Sequence, residues 1–531
     1  MQDSSSQTVW PGEMGDTEVS RVESLPVTEP TIDAAEISEQ RRVRREKRAR
    51  MLGTDREPYP VEMSRTHTVA QIHANQTWAT LESGEESSDV VETGGRIVFL
   101  RNTGKLCFAT IQDGFNQHSN GERLQVMVSL ANVGDDAFAA WKADVDLGDI
   151  IWVRGAVVRS KRGELSVMAS QWKIASKSLA PLPTLHKELS EEQRVRRRYL
   201  DLIARPEARE MVRLRSMVTR SVRRTLDEAG FLEVETPTLQ LIHGGAAARP
   251  FSTHLNAFDI DMTMRIALEL YLKRVMVGGA ESVYEIGRIF RNEGVDSSHS
   301  PEFTMLEAYQ SWGNDRTIAG LTKQMIMNAA DELNIHQIER PDGTVIDLDA
   351  EWKWLPLYDA VSEVLGEQIT VETSVDALHR HCDARGIEYN PEWGNGKLVM
   401  EIYEALVEPG LLNPTFVCDF PEVAQPLARR HRSEPGKIEA WDLIIGGMER
   451  GTGFNELIDP IIQREILTSQ SVAAAAGDPE AMQLDEDFLE ALEQAAPPMG
   501  GMGMGMDRLI MLFTGAGIRE TILFPLLRPL G

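Results

Sequence analysis

Tyr284-Glu285-Ile286-Gly287-Arg288-Ile289-Phe290-Arg291-Asn292-Glu293 reads as a β-strand that runs into a polar loop, Gly294 to Pro301. A second strand follows, Glu302-Phe303-Thr304-Met305-Leu306-Glu307-Ala308-Tyr309. With a side-chain period of two, Arg291 and Glu293 share one face, and Phe303, Glu307 and Tyr309 share another. A strand face that holds Glu and Tyr next to an Arg is costly to bury without a ligand. On these residues alone two readings stand open, the polar outer face of a sheet and a ligand-binding surface.

Two further segments lie towards the C-terminus. Trp441-Asp442-Leu443-Ile444-Ile445-Gly446-Gly447-Met448-Glu449 carries Gly-Gly between apolar residues, the signal of a two-residue hairpin. Such a turn pairs Ile445 with Met448 and Ile444 with Glu449. Asp442 then becomes the diagonal neighbour of Glu449, roughly 7–8 Å away at the backbone. Two carboxylates so placed either decorate a solvated hairpin or share a hard cation; Mg²⁺ commonly takes one or two carboxylates plus substrate phosphates. Thr452, Phe454 and Glu456 alternate onto one face beyond the turn. Gly501-Met502-Gly503-Met504-Gly505-Met506-Asp507-Arg508 then leads into an apolar helix. Three alternate glycines give a strand face without side chains, which a flat ligand can approach; a Gly/Met low-complexity run is the alternative.

The rest of the chain sets the context. It has 531 residues, with 55 Lys and Arg against 82 Asp and Glu, a formal charge of −27. A hydrophobic content of 42% is that of a globular protein, and the length predicts two to four domains. The acidity argues against a general nucleic-acid binder without excluding a local basic face. Cys107, Cys382 and Cys418 are scattered singly, with no metal-ligand spacing, which favours a reducing compartment. The first residues lack the pattern of a signal peptide, and no apolar run reaches the ~20 residues that span a bilayer. A cytoplasmic protein that does not enter membranes is therefore expected.

Residues 1–40 hold nine acidic residues and one Arg, and read as a disordered acidic tail. Arg41 to Arg50 then carries seven basic residues in a helix-forming sequence, either a solvated face or a contact for phosphates. From about Gly94 to Lys177, short β runs such as Leu106–Ile111, Leu124–Val128 and Ile150–Val153 give about five strands in about 80 residues, the texture of a small OB-fold barrel. Pro181-Leu182-Pro183 reads as a linker. Glu207 to Ala229 is an amphipathic helix with Met211, Leu214, Met217, Val218, Val222 and Leu226 on one side, and Gly230 suits its C-terminal cap. Pro479 to Gln494 reads as an acidic helical face.

Taken together, these segments resemble the signature motifs of class II aminoacyl-tRNA synthetases. Gly230-Phe231-Leu232-Glu233-Val234-Glu235-Thr236-Pro237 is similar to motif 1, Phe290 to Glu293 through Phe303 and Glu307 to motif 2, and Gly501 to Arg508 to motif 3. Gly244-Gly245-Ala246-Ala247-Ala248-Arg249-Pro250-Phe251, Glu269-Leu270-Tyr271-Leu272-Lys273-Arg274 and Gly453-Phe454-Asn455-Glu456-Leu457 narrow the resemblance to the lysyl-tRNA synthetase family of bacterial type. It covers roughly residues 41–531. It implies an α+β protein: the tail at 1–40, the basic helix and a five-stranded OB-fold anticodon-binding domain at 41–180, and a class II catalytic domain at 181–531. That last domain is expected to be an antiparallel sheet flanked by helices, with an insertion at about 316–435.

The resemblance implies a ligase that activates L-lysine with ATP, uses Mg²⁺, charges tRNA(Lys) for translation and works as a homodimer. By resemblance Arg291 and Arg508 are the catalytic cations on the phosphates. Glu293, His299 and Phe303 complete the ATP site, and Asp442 and Glu449 hold the metal. Gly245, Glu269, Glu307, Tyr309, Phe454 and Glu456 form the lysine pocket, with Glu269 for the α-ammonium and Glu456 for the ε-ammonium. Arg96, Phe108, Gln125 and Glu164 contact the anticodon; Phe108 is alternatively a core residue of its strand. The chain departs from the family pattern in three places: Ser298-His299-Ser300 stands for a common Arg-His-Asn, Asp442 for a Glu, and Thr452 for an Asn. Competing readings are an aspartate or asparagine enzyme of the same subclass, a paralogue that lysylates a protein, and a non-catalytic RNA-binding module.

Overall fold

The computed structural model describes residues 39–182, 190–475 and 482–529. The acidic tail up to residue 38 and the end of the Pro181 linker lie outside the described residues, as does part of the Pro479–Gln494 stretch, of which Glu486–Leu492 is helical. The chain divides into two units, Met1–Gln112 with Leu124–Pro181, and Asp113–Arg123 with Leu182–Gly531.

The first unit is a closed barrel of β1 (Glu86–Asn102), β2 (Leu106–Gln112), β3 (Arg123–Ser129), β4 (Ile150–Arg159) and β5 (Leu165–Ser176), in the order β1-β2-β3-β5-β4. The alternation that predicts the strands also fills it: Leu124, Val126 and Val128 of β3 point inward while Gln125 and Met127 do not. Gly155 permits closure, because a β-carbon there would collide with the Met168 carbonyl of β5.

The basic segment is a helix, α1 (Glu39–Gly53). Three of its seven cations are spent inside the unit. Arg44 donates to the Leu147 carbonyl at 2.8 Å, Lys47 to Asp146 at 2.6 Å and Arg50 to Asp144 at 2.9 Å. Arg41 and Arg45 remain exposed. The segment is thus neither wholly solvated nor wholly available to phosphates.

The second unit is built on an eight-stranded sheet. Its strands are β6 (Leu232–Glu233), β7 (Ser282–Phe290), β8 (Glu302–Ser311), β9 (Lys353–Pro356), β10 (Thr415–Cys418), β11 (Ala440–Ile444), β12 (Glu449–Asn455) and β13 (Met499–Gly505), in the order β9-β10-β11-β12-β13-β8-β7-β6. The six central strands are antiparallel and the two edge pairs parallel, so the sheet is mixed rather than purely antiparallel. Helices α2 (Pro206–Glu228) and α4 (Asp315–Leu333) cover one face. Val218, Val222 and Leu226 of α2 pack there against Met502 and Met504, the outward alternates of the glycine strand. Gly230 follows α2 at φ +83°, where glycine is strain-free. Helix α3 (Glu269–Val277) packs on the other face, its Leu272 and Met276 with Tyr309 and Phe303, while α6 (Met506–Thr514) joins α2 and α4 through Leu509, Ile510 and Phe513; α5 (Asn395–Leu406) falls between β9 and β10 in the sequence.

Candidate active site

Gly503 of β13 is the centre of the site. It pairs with Glu307 of β8 on one side and with Thr452 of β12 on the other, and Thr452 pairs in turn with Asp442 of β11. Two residues along β13, on the same face, Gly501 pairs with Tyr309 and Phe454. The predicted polar alternates of three separate segments are therefore neighbours across one sheet face. They floor a cavity of about 400 Å³. Its wall includes Gly245, Glu269, Arg291, Glu293, His299, Phe303, Glu307, Tyr309, Glu449, Phe454 and Arg508, eleven of the thirteen residues expected in the catalytic site. Asp442 and Glu456 stand behind that wall.

Some of these residues arrive by a route the sequence did not foresee. β7 ends at Phe290, so Arg291 and Glu293 project from the loop and not from a strand face. Arg291 donates its backbone N–H to the Pro301 carbonyl at 2.9 Å and its Nε to the Ile266 carbonyl at 3.3 Å. Its guanidinium lies 5.4 Å from the Phe303 ring centre. Burial holds its pKa down, against the pull of Glu293, Glu307 and Glu449. Asp296 organises the rest of the loop, accepting from the backbone N–H of Ser298 at 2.7 Å and of His299 at 2.8 Å, while its Oδ2 contacts His299 Nδ1 at 2.8 Å. These bonds hold its carboxyl well below the usual range.

The hairpin forms as read, with Gly446 at φ +70° and Gly447 at φ +69°, the pair of left-handed residues that a type I′ turn requires. A bulge at Arg450 then shifts the ladder, so Asp442 faces Thr452. The shift also turns Glu449 and Thr452, three residues apart, into the same cavity. Burial and the nearby Glu449 push the Asp442 carboxyl well up. Arg508, at the start of α6, donates Nη1 to Glu449 at 3.2 Å. Among the described residues no group of three or more His, Cys, Asp or Glu is arranged to hold a metal unaided. Asp442 and Glu449 offer two hard oxygen donors on one face whose mutual repulsion a divalent cation would relieve, the set that suits Mg²⁺ shared with phosphates. Glu404 of α5 and Glu408 were not foreseen there; burial and neighbouring carboxylates push both up. Glu408 lies just past the end of α5, and two acidic residues four apart were the available signal.

The opposite end of the cavity is acidic and dry. Glu307 accepts the Leu268 backbone N–H at 2.9 Å and the Tyr309 hydroxyl at 3.0 Å. Burial, with Glu269 nearby, pushes its carboxyl up to about 7. Glu269 and Glu456 are both buried, and both contact the Lys273 ammonium, which the sequence reading did not single out. Burial pushes Glu456 up to about 8 in spite of that partner. Gly245, at φ +86°, admits the chain close to this end: a β-carbon there would stand 2.9 Å from Ala267 Cβ and 3.3 Å from Glu269 Cβ.

On the barrel, Phe108 is not a core residue. Cys107, Ala109 and Ile111 are its inward alternates, and Phe108 lies on the outer face with the Arg101 guanidinium 5.1 Å from its ring centre. Arg101 is its cross-strand partner. Arg96 does not join them; it sits five residues back along β1 and donates to the Gly148 carbonyl at 2.9 Å. Gln125 and Glu164 are hydrogen-bonded to each other on the exposed side.

The comparisons agree with this geometry. Residues 190–528 match the family described as tRNA synthetases class II (D, K and N), and residues 91–175 match the OB-fold nucleic acid binding domain. The chain belongs to the class II tRNA synthetases, and it is an enzyme. Within them it falls with the lysine–tRNA ligases: that of Mycobacterium tuberculosis is 54% identical over 503 residues, covering 93% of this chain and 98% of the relative. That of Kineococcus radiotolerans is 54% identical over 502 residues, covering 94% and 99%. A lysylphosphatidylglycerol biosynthesis bifunctional protein of Mycobacterium marinum is 46% identical over 499 residues, 93% of this chain but 44% of that protein. Among the described residues no helix is long and apolar enough to cross a membrane.

Proposed function

We propose that the chain activates L-lysine with ATP and transfers it to the 3′ end of tRNA(Lys). The observation that carries this is the polarity of the cavity. Arg508 is paired with Glu449, Arg291 lies within electrostatic reach of both that pair and Glu307, and Glu269, Glu307 and Tyr309, backed by Glu456, form the acidic end. A lysine carboxylate directed to Arg291 would leave both ammonium groups among the carboxylates. An aspartate or asparagine side chain would need cations or amide donors where Glu307 and Glu456 lie.

The attacking carboxylate is already ionised, so no general base is required. It adds to the α-phosphorus and pyrophosphate leaves; a terminal ribose hydroxyl then attacks the carbonyl and AMP leaves. Arg291 would hold the α-phosphate and the carboxylate, Arg508 the far phosphates, and Phe303 would stack on adenine beside Glu293 and His299. Such fixed cations stabilise charge that grows in the transition state. Mg²⁺ on Asp442 and Glu449 would neutralise the phosphates. No cation stands at Ser298, so Arg508, with His299 Nε2 at 3.5 Å from its Nη2, has the outer phosphates largely to itself.

The outer face of the barrel around Phe108, Arg101, Gln125 and Glu164 would receive anticodon bases, by stacking and by hydrogen bonds to their edges. Exposed Leu232, Leu239 and Leu241 around motif 1 support an isologous contact with a second copy. The work is that of a cytoplasmic enzyme. Charging of a tRNA(Lys) transcript with labelled lysine tests the proposal; efficient charging of an aspartate or asparagine tRNA with its own amino acid would overturn it.

A further inference from the structure

The Lys273 ammonium is enclosed by the site without facing the cavity. It is 1% exposed and absent from the cavity wall. Its Nζ lies 2.6 Å from Glu269 Oε1, one helical turn back on α3, and against Glu456 Oε2, which follows β12. The Phe454 ring centre is 5.8 Å away. Each carboxylate thus gives one oxygen to Lys273. Neither Glu456 oxygen has a hydrogen-bond partner among the described residues; Oε2 has the ion pair with Lys273, and Oε1 has not even that.

A lone buried carboxylate tends to take up a proton, and a proton there would cancel the attraction for a substrate ammonium. The charged and titratable groups that face this cluster are Glu269 and Lys273 from α3, Glu307 and Tyr309 from β8, Glu456 from the end of β12, and Arg291 from the loop after β7. Among the acidic-end groups, one internal ammonium stands against three carboxylates. Fully ionised, they leave two negative charges, which matches the two ammonium groups of lysine.

We propose that Lys273 is a positioning and specificity-determining residue: an internal ammonium that bridges the carboxylates for the two ends of the substrate, orients one oxygen of each towards it, and draws both towards the ionised form that a diammonium ligand needs. This rests on the lysine reading of the cavity. Lys273 touches neither substrate nor reacting atoms, so it acts only through Glu269 and Glu456. Because one side chain holds both carboxylates, the pockets for the α- and ε-ammonium are coupled, and disturbing one end is felt at the other.

The test is lysine-dependent ATP–pyrophosphate exchange by the full-length chain, wild type, Lys273→Met and Lys273→Arg, measured across pH. In Lys273→Met a proton should replace the missing ammonium. KM for lysine should rise by about tenfold or more near neutral pH and recover as pH rises, with kcat at saturating lysine and KM for ATP each changed by less than about threefold. Lys273→Arg keeps the charge and should restore the wild-type pH profile, in whole or in part. The Glu456→Gln variant guards against misfolding: adding Lys273→Met to it should move the pH profile less than Lys273→Met does in the wild type, because only Glu269 is left to lose its partner. If lysine fails to drive exchange in the wild type, the lysine reading itself falls. If the wild type is lysine-driven but Lys273→Met leaves KM and pH profile alone, or lowers kcat for both substrates alike with no pH shift, Lys273 is merely structural and the proposal is overturned.

Discussion

Glu456 Oε1 lies where a β-carbon on Gly501 would have to stand. The same β-carbon would come within 2.6 Å of the Tyr309 ring. Gly501 is thus glycine for the sake of the acidic end of the cavity, and not to admit a flat ligand. Gly503 differs: its β-carbon would meet only Glu307 Cγ at 3.8 Å and Thr452 Cγ2 at 3.9 Å, so the space above it is open.

The two glycines should therefore fail differently. Gly501→Ala should displace Glu456 or Tyr309, lower stability by about 1–3 kcal/mol and raise KM for lysine. Gly503→Ala should leave the unfolding midpoint nearly unchanged and act on the floor of the cavity instead. Denaturation curves paired with exchange kinetics check this; equal destabilisation by both would contradict it.

Lysine binding should strengthen with rising pH. Burial pushes the Glu307 carboxyl up to about 7 and the Glu456 carboxyl up to about 8. The carboxylate form is the one that binds ammonium, so binding expels protons, and affinity grows by up to about tenfold per pH unit for each proton released. Growth should end above the Glu456 value. Calorimetry in buffers of different ionisation enthalpy measures the protons directly. Affinity that falls as pH rises towards 8 would reverse the assignment of these carboxyls.

Phe108→Ala should spare pyrophosphate exchange and weaken tRNA charging. Base stacking is worth about 1–3 kcal/mol, or about 5- to 150-fold in kcat/KM for tRNA. Arg101→Ala should fall on the same side of that division, and Arg96→Ala should chiefly cost stability, because its guanidinium is spent on the Gly148 carbonyl. An equal loss in both assays for Phe108→Ala would point to a folding defect.

Removing residues 1–40 should leave charging within about twofold. Reversing Arg41 and Arg45 should weaken tRNA binding in a way that shrinks at high salt. Lys47→Ala and Arg50→Ala should instead lower the stability of the barrel unit, since their partners Asp146 and Asp144 are internal. Filter binding across salt concentrations and thermal melts separate the two effects.

Most of the catalytic site could be read in the chain because period-two alternation carries a short strand faithfully. Glu307 and Tyr309, Thr452 and Phe454, and the glycines of β13 all keep their faces. Two bulges break that period. Val98 lies between paired Ile97 and Phe99, which turns Arg101 outward onto Phe108; strict alternation from Arg96 would have buried it. The bulge at Arg450 leaves Glu449 opposite Ile444, as the hairpin reading had it, and sets Asp442 opposite Thr452. Lys273 was hidden for another reason. Its spacing from Glu269 is a common helical pair, and its second partner, Glu456, is brought near only by the tertiary fold.

The measurement that bears most directly on the whole account is ATP–pyrophosphate exchange by the intact chain with each proteinogenic amino acid in turn, in the presence of Mg²⁺. Lysine alone should drive rapid exchange, because only it places an ammonium at both Glu269 and the Glu307–Glu456 end while its carboxylate reaches Arg291. Exchange driven best by aspartate or asparagine, or none with any amino acid, would contradict it.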